Sequence, residues 1–407
     1  MKWISYILII LLFCGPCVLY LCGWNVETPS SIFYTFYPSF YVLGAFLCIK
    51  GNKRTNHEYK IELFAIFLAL FYFFIARFIV GVDGNYGRIL FNGIILPCLY
   101  YIYFNGYNNV KKKNLRNFII FIYLFNSILA IFERIVGNNL FPTDLVYQSA
   151  IDNMQYNNDI DITMFRSNAL LGHPLANGFI TSIVMGFILI SNIKVTYKYS
   201  LCIIGFIALF CFNTRASILV SGFSIVVYLL KDFLFGKNVS VYKRIGLIFL
   251  LFVGYFIVRY LIENGFGGRL FMSENFDDSS VLARFLAFDV LSYFDWQQIL
   301  FGLDSDTISK ITIMYVGNDH LENWLVTVFL NLGVFTTILF IVLFYYIFKQ
   351  SKKGVNTFDW WFVFAILMAV GWSFPGFTTG VPAIALFFVC LMSFNKNIVR
   401  KNEYETI

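Results

Sequence analysis

The sequence predicts an all-α, polytopic integral membrane protein, and three observations support that fold class. Of 407 residues, 59% are hydrophobic and only 13% are charged, whereas soluble domains average about 25% charged residues. The mean hydropathy is +0.72. Apolar runs long enough to cross a bilayer, about 17–25 residues, recur along the whole chain.

We expect about twelve transmembrane helices, with both termini on the same side of the membrane. The first run, from Trp3 to Cys22, is too long for a signal peptide and lacks its cleavage site, so it is expected to be the first helix. The predicted spans are 3–22, 31–49, 61–80, 89–107, 118–137, 173–192, 200–213, 216–230, 245–262, 321–348, 359–373 and 380–394.

The basic residues orient these spans. With the N-terminus inside, the inner segments hold 21 of the 30 Lys and Arg residues, as the positive-inside rule requires. The net charge of +7 therefore indicates membrane topology and anionic lipid, and it excludes nucleic acid as the partner. The chain is expected to form one transmembrane domain, 1–407, with two acidic outer loops, 138–172 and 263–319.

The longer outer loop, 263–319, carries nine acidic residues against three basic ones. Within it, Asp278, Ser279 and Ser280 are good N-cap residues. Apolar residues at helical spacing follow them, which predicts a short amphipathic helix on the outer surface with Arg284 in its first turns. Arg284 is a candidate binding residue, although a charge on a solvated helix face would look the same.

Arg215 is the second arginine candidate, because it lies at the outer tip of the tight hairpin 200–230. Arg166 and His173 precede the sixth span and are further candidates for substrate binding. The alternatives are an interfacial arginine for Arg215, which snorkels to lipid phosphate, and a turn-stabilising histidine for His173.

His320 is the candidate catalytic residue. It lies at the start of the span 321–348, which Asn318 or Asp319 could cap, and a helix N-terminus disfavours the imidazolium form. A neutral histidine can accept a proton, and Glu322 and Asn323 are near enough in sequence to orient it. The alternative is a histidine that caps the helix or lies in the interface.

No metal or cofactor is expected. Two short D-x-D motifs, Asp159 with Asp161 and Asp304 with Asp306, supply too few ligands for a metal site. Cys14 and Cys17 have metal-site spacing but lie inside an apolar run without a second ligand pair.

Outward-facing arginines and a neutral histidine together suit one chemistry. Guanidinium groups bind diphosphate through bidentate, charge-assisted hydrogen bonds, and two of them can stabilise a diphosphate leaving group without a metal. A histidine can take the proton from an attacking hydroxyl. The set is appropriate for glycosyl transfer from a lipid-diphosphate-linked sugar.

Over residues 160–345 the chain resembles the bacterial O-antigen polymerase and O-antigen ligase superfamily. Three of the segments that carry the resemblance are RSNALLGHPLANGF, FNTRASILVSGF and NDHLENWLVTVFLNLGVFTTILF. In a fourth, DDSSVLARFLAFDVLSYFDWQQILFGLDSDT, an arginine-bearing helix leads to a glycine turn. The segments occur in the family's order.

The resemblance implies a GT-C-like membrane glycosyltransferase that acts at the periplasmic face of the bacterial inner membrane, with both termini cytoplasmic. Its substrate would be an undecaprenyl-diphosphate-linked oligosaccharide, transferred with inversion and without a metal. Arg215 and Arg284 would bind the diphosphate, and His320 would activate the acceptor hydroxyl. A regulator of chain length is the implied protein partner.

Polymerisation of surface-polysaccharide repeat units is the function that this resemblance favours. An O-antigen ligase, which transfers the same donor to lipid A core, is the first alternative. A polysaccharide flippase or other transporter is the second, and it would be expected to contain broken helices and ionisable residues near the bilayer midplane.

Overall fold

The structure, a computed structural model, is all-helical across the residues that it describes. These are residues 2–24, 32–50, 55–75, 78, 89–105, 107–141, 165–235, 252, 254–256, 258–264, 266, 287–303, 305–316, 323–351, 356–371 and 382–394. No strand occurs within these ranges. The all-α class that composition predicts is therefore confirmed.

Besides helical residues at 252, 254–256, 258–263 and 287–289, fourteen α-helices lie in this described part of the chain. They are α1 (Lys2–Phe13), α2 (Pro16–Leu21), α3 (Pro38–Lys50), α4 (Asn56–Phe74), α5 (Leu96–Asn105), α6 (Asn109–Val136), α7 (Pro174–Ile190), α8 (Val195–Phe212), α9 (Arg215–Phe235), α10 (Trp296–Phe301), α11 (Ser305–Val316), α12 (Trp324–Ser351), α13 (Thr357–Gly371) and α14 (Ala383–Ser393). A π-helical turn, Ile89–Ile95, precedes α5, and two short 3₁₀ turns cover Ile32–Thr35 and Val290–Tyr293.

Three stretches are long and apolar enough to cross a membrane, among the residues that the structure describes. They are Val110–Val136 in α6, Val195–Phe212 in α8 and Val326–Ser351 in α12. Six shorter apolar helices of 10–17 residues accompany them. Helices of this composition indicate a membrane-embedded protein.

Helix α7 is the centre of the bundle. Every residue from Ala176 to Ile190 is buried, and the helix packs against α8, α9, α13 and α14. A helix that is apolar on all sides belongs in such an interior position. Residues 165–173 lead into this central helix.

The prediction of one continuous helix from Trp3 to Cys22 is wrong. Helix α1 ends at Phe13 and α2 begins at Pro16, since proline favours the first position of a new helix over an interior one. The amide of Gly15 donates instead to the carbonyl oxygen of Leu170 at 2.9 Å. The break between α1 and α2 thus forms a hydrogen bond to residues 165–173, which are distant in the sequence.

The start of α6 also differs from the prediction at 118. The helix begins at Asn109, and the side chain of Asn108 accepts from the amide of Lys111 at 3.0 Å. Hydropathy marks where a helix enters the apolar layer, not where it begins. The basic residues 111–113 and Arg116 therefore lie on the first two turns of α6 and not in a loop.

Hydrogen bonds define one end of the bundle, here called the lysine end. Asn105 at the end of α5 donates to Glu58 at the start of α4 over 3.1 Å. The Ser5 hydroxyl at the start of α1 bonds to the Tyr107 hydroxyl at 2.5 Å. Among the described lysines, Lys2, Lys60 and Lys111–Lys113 lie near the starts of the helices that begin at this end.

The opposite end, here called the loop end, contains residues 165–173, the break between α1 and α2, and the turn between α8 and α9. The amide of Ser167 donates to the carbonyl oxygen of Cys211 at 3.1 Å, and Gly15 binds Leu170 as described above. Helix ends that the charge pattern assigns to the outer side meet at the loop end.

One ion pair fixes α9 to α13 near the lysine end. The ammonium of Lys231 lies 2.6 Å from the carboxylate of Asp359, whose side chain is fully buried, whereas that of Lys231 is 20% exposed. Removing the lysine leaves a carboxylate in the interior, whereas a lysine without its acid can extend toward solvent.

We therefore expect Lys231→Met to destabilise the protein more than Asp359→Asn does, with Lys231→Met costing about 3 kcal/mol. The thermal unfolding midpoint in detergent measures both effects. Equal effects, or a larger one for Asp359→Asn, would contradict the burial asymmetry.

Candidate functional site

Four of the seven residues singled out in the sequence lie in the described part of the chain. They are Arg166, His173, Arg215 and Asn323. The other three, Arg284, His320 and Glu322, lie outside the described residues. So do Asp159, Asp161 and Asp304 of the two D-x-D motifs.

Arg215 is the first residue of α9 and lies at a tight turn, as the sequence predicts. Only Asn213 and Thr214 separate it from α8. Asn213 adopts a left-handed conformation with φ 52°, which asparagine tolerates better than most residues, and its amide caps α8 through the carbonyl of Phe210 at 3.1 Å. The turn holds Arg215 half-buried at the loop end.

Arg166 lies beside the same turn. Its Nε donates to the carbonyl oxygen of Phe212, the last residue of α8, at 3.4 Å. A cation is favoured there because the C-terminal end of a helix carries partial negative charge. The structure thus brings Arg166, 49 positions before Arg215 in the sequence, to the turn that positions Arg215.

The segment 165–173, here called the buried loop, is held by a buried carboxylate. Oε2 of Glu133, near the end of α6, accepts from the Ser167 hydroxyl at 2.5 Å and from the amides of Asn168 at 3.1 Å and Ala169 at 2.9 Å. Oε1 accepts from the amide of Leu140 at 3.0 Å. Glu133 has no exposed surface, so these donors stabilise its charge in place of water.

Two buried asparagines complete the hydrogen bonding of the buried loop. Asn126 of α6 accepts from the amide of Leu170 at 3.0 Å and donates to Asn177 of α7 at 3.0 Å. Asn177 in turn donates to the carbonyl oxygens of Asn168 at 2.5 Å and His173 at 3.1 Å. Irregular backbone can lie inside an apolar bundle only when side chains satisfy its polar groups in this way.

His173 ends the buried loop and occupies the N-cap position of α7, with Pro174 following at the first helical position. Its backbone carbonyl accepts from the amide and the side chain of Asn177. These contacts fix the turn through the backbone of His173. They are consistent with the turn-stabilising role that the sequence analysis gave as the alternative for His173.

Arg134 was not selected from the sequence as a candidate residue. It is 4% exposed and donates through Nη1 to the carbonyl oxygen of Phe165 at 3.1 Å. Its guanidinium also lies over the rings of Phe165 and Phe266, at 6.0 and 5.1 Å. The adjacent charges of Glu133 and Arg134 in an apolar run were the available signal, because charges in such runs need dedicated partners.

Asn323 lies at the start of α12 and is fully buried. Its carboxamide oxygen accepts from the amide of Val326 at 3.3 Å, and its carbonyl accepts from the amide of Thr327 at 2.9 Å. Helix α12 therefore begins at Trp324, after the predicted start at 321, whereas the predicted caps Asn318 and Asp319 lie outside the described residues. Asn323 therefore caps the N-terminal end of α12, and it lies three residues after His320 in the sequence.

Helix α10, which lies in the segment predicted to form the longer outer loop, packs against α12. Helix α12 is interrupted at Gly333 (φ 72°, ψ 162°), which releases carbonyl groups from the helical pattern. The amide of Leu303 donates to the freed carbonyl of Leu330 at 2.7 Å, and the Tyr72 hydroxyl donates to that of Asn331 at 3.3 Å. The glycine turn around Gly302, noted in the sequence, is therefore packed into the break in α12.

The loop end thus gathers three arginines, Arg134, Arg166 and Arg215, around one short stretch of backbone. The neighbouring carboxylate of Glu133 accepts four hydrogen bonds from hydroxyl and amide groups. Of the three, Arg166 and Arg215 are partly exposed, and guanidinium groups are suited to anions with several oxygens. No protein-family model matches the sequence, and no curated protein matches it significantly.

Proposed function

We propose that the protein is a polymerase of a bacterial surface polysaccharide, such as O-antigen. It would span the inner membrane about twelve times, with both termini cytoplasmic and the loop end facing the periplasm. It would transfer the growing glycan from one undecaprenyl diphosphate to the non-reducing sugar of a new lipid-linked repeat unit.

The observation that carries this proposal is the hydrogen bond between Arg166 and the turn that precedes Arg215. Arg166 donates to Phe212, three residues before Arg215, over 3.4 Å, although the two arginines lie in separate segments of the sequence. These are two of the four segments that resemble the O-antigen polymerase and ligase superfamily. Paired guanidinium groups are suited to a diphosphate because each offers two parallel donors to its oxygens.

The proposed reaction needs only groups that this chain supplies. A hydroxyl of the acceptor sugar attacks the anomeric carbon of the donor, and its proton passes to His320. The bond between the anomeric carbon and the phosphate oxygen breaks with inversion, and undecaprenyl diphosphate leaves with the electron pair. Arg215 and Arg284 stabilise the charge that develops on that leaving group.

The sidedness follows from the distribution of basic residues. The lysine end would be cytoplasmic under the positive-inside rule, and the loop end is its opposite. Arg166 and Arg215 then face the compartment in which surface glycans are assembled.

The helix breaks give little support to the transporter alternative. Transporters use broken helices to line a substrate cavity near the bilayer midplane. Here the break at Gly15 binds Leu170 of the buried loop, and the break at Gly333 binds Leu303 after α10. Both breaks are filled by the protein's own backbone, which favours a static scaffold for two loops.

Deletion of the gene separates the three candidate functions by the surface polysaccharide that remains. A polymerase predicts lipid A core bearing a single repeat unit. Loss of every unit from the core, with polymer retained on undecaprenyl diphosphate, indicates a ligase. Loss of lipid-linked units from the outer face indicates a flippase.

Complementation with single variants tests the residues. Arg215→Ala and Arg284→Ala are expected to lose the polysaccharide ladder on a gel, because losing one charge-stabilising donor costs about 10²–10³ in rate. His320→Ala is expected to lose it as well, because losing a general base costs about 10²–10⁴ in rate. Arg259→Ala is the matched control, since the side chain of Arg259 is 60% exposed and its Nε lies 2.7 Å from the carboxylate of Glu263, one helical turn away. A normal ladder from all three site variants, at equal membrane levels, would contradict the assignment.

A further inference from the structure

The lysine end contains an arginine whose burial is unusual for its position. Lys112 and Arg116 lie one helical turn apart on the same face of α6. Arg116 is only 9% exposed, with the apolar residues Leu115 and Ile119 buried nearby. Lys111 and Lys113 on the same turns are exposed, and Lys112 is half-buried. The inward face of this basic segment therefore holds two cations that solvent reaches poorly.

Within the described residues, the protein does little to compensate Arg116. Nη2 donates to the side chain of the adjacent Asn117 at 3.4 Å. Nε, which is also buried, meets no acceptor in the described ranges. A guanidinium has five donors, and burying a charged group without partners is strongly unfavourable.

Two described acids at the lysine end, Glu58 and Asp359, are already engaged elsewhere. Glu58 accepts from the amide of Thr55 at 3.1 Å and from Asn105 at 3.1 Å. Asp359 is paired with Lys231 at 2.6 Å. Neither carboxylate is bonded to Arg116, so the described residues leave room for an anion from outside the chain.

We propose that Lys112 and Arg116 form a binding site for a phosphate-bearing anion, which in the membrane is the headgroup of an anionic phospholipid. Guanidinium and ammonium groups are the side chains that bind phosphate oxygens most strongly. The start of α6 lies at the end of the bundle where lipid headgroups meet the protein under the proposed topology. The site lies at the opposite end from Arg166 and Arg215 and does not depend on the polymerase assignment.

The test measures thermal unfolding of the purified full-length protein in detergent, titrated with phosphatidylglycerol, with phosphatidylcholine, or with inorganic phosphate. Phosphatidylglycerol is expected to raise the unfolding midpoint of the wild type. Arg116→Gln is expected to raise the half-saturating concentration of phosphatidylglycerol by about tenfold or more, since charge-assisted hydrogen bonds to the phosphate are lost. Lys112→Gln, which leaves the buried guanidinium in place, is expected to raise that concentration to a smaller extent.

Lys113→Gln is the matched control, because it removes the same charge from an exposed position one residue away. Its titration is expected to follow the wild type. An equal response of Lys113→Gln and Lys112→Gln would show a diffuse surface effect and overturn the proposal, even if Arg116→Gln fails to fold. If inorganic phosphate raises the unfolding midpoint as much as phosphatidylglycerol does, the site is assigned to free phosphate. If neither phosphatidylglycerol nor inorganic phosphate raises it, the proposal is refuted.

Discussion

Replacing Glu133 with alanine is expected to cost about 3–5 kcal/mol of stability and to abolish polysaccharide assembly. The carboxylate is fully buried and accepts from Ser167, Ala169 and Leu140, as well as from Asn168. Without it the amide of Ala169 loses its buried acceptor, and that residue already has a strained φ of 36°. The buried loop would then no longer hold Arg166 against α8.

Two further variants make this prediction specific. Glu133→Gln keeps one acceptor oxygen but turns an amide NH₂ group toward existing donors, so an intermediate loss is expected. Glu263→Gln is the control, because Glu263 is 58% exposed and exposed pairs contribute about 0–1 kcal/mol. Thermal unfolding and the polysaccharide ladder measure the two effects. A wild-type melting midpoint for Glu133→Ala would contradict the proposed role of the carboxylate.

Replacing Gly333 with alanine is expected to prevent α10 from packing against α12, at a cost of about 3 kcal/mol or more. The backbone angles at Gly333, φ 72° and ψ 162°, are reached essentially only by glycine. An added Cβ would lie 2.5 Å from the carbonyl carbon of Phe301 and 2.6 Å from the nitrogen of Gly302. Both are backbone atoms, so no side-chain rotation can relieve the clash.

Gly44→Ala serves as the opposite control. Gly44 lies within α3, and an added Cβ there meets nothing within 4 Å, so the change should be neutral or stabilising by about 0.5–1 kcal/mol. Fluorescence-detected size exclusion of tagged variants measures how much protein remains folded. Equal folded yields for Gly333→Ala and Gly44→Ala would show that the contact between α10 and α12 is dispensable.

Hydropathy and charge were sufficient to predict the helical class and the tight turn before Arg215. The turn was predictable because two apolar runs almost meet, with Asn213 as a residue that tolerates the left-handed conformation. The start of α6 was misplaced because charged Lys and Arg residues are good helix formers but interrupt an apolar window.

The buried loop was not predictable by the same reasoning. Residues 165–172 were assigned to an outer loop because glycine and polar residues interrupt the apolar pattern there. Their burial depends on Glu133, Asn126 and Asn177, which come from other segments and satisfy the loop backbone. Such long-range pairing leaves no periodic signal in a single sequence.

The break at Gly333 was missed for a related reason. A lone glycine in an apolar run is common in membrane helices, so it does not indicate a break. Only the approach of Gly302 from the outer loop shows why Gly333 is needed. The residues 296–317, whose arrangement the sequence did not reveal, contain α10 and α11, and α10 is the part that contacts α12.

The most direct test of the proposed function is reconstitution of the purified protein in liposomes with an undecaprenyl-diphosphate-linked repeat unit from the same strain. Gel analysis of the lipid-linked products follows chain growth. Products of two or more repeat units are expected from the wild type and from Arg259→Ala, but not from Arg215→Ala folded to the same extent. Failure of the folded wild type to lengthen the glycan, or undiminished lengthening by Arg215→Ala, would contradict the account.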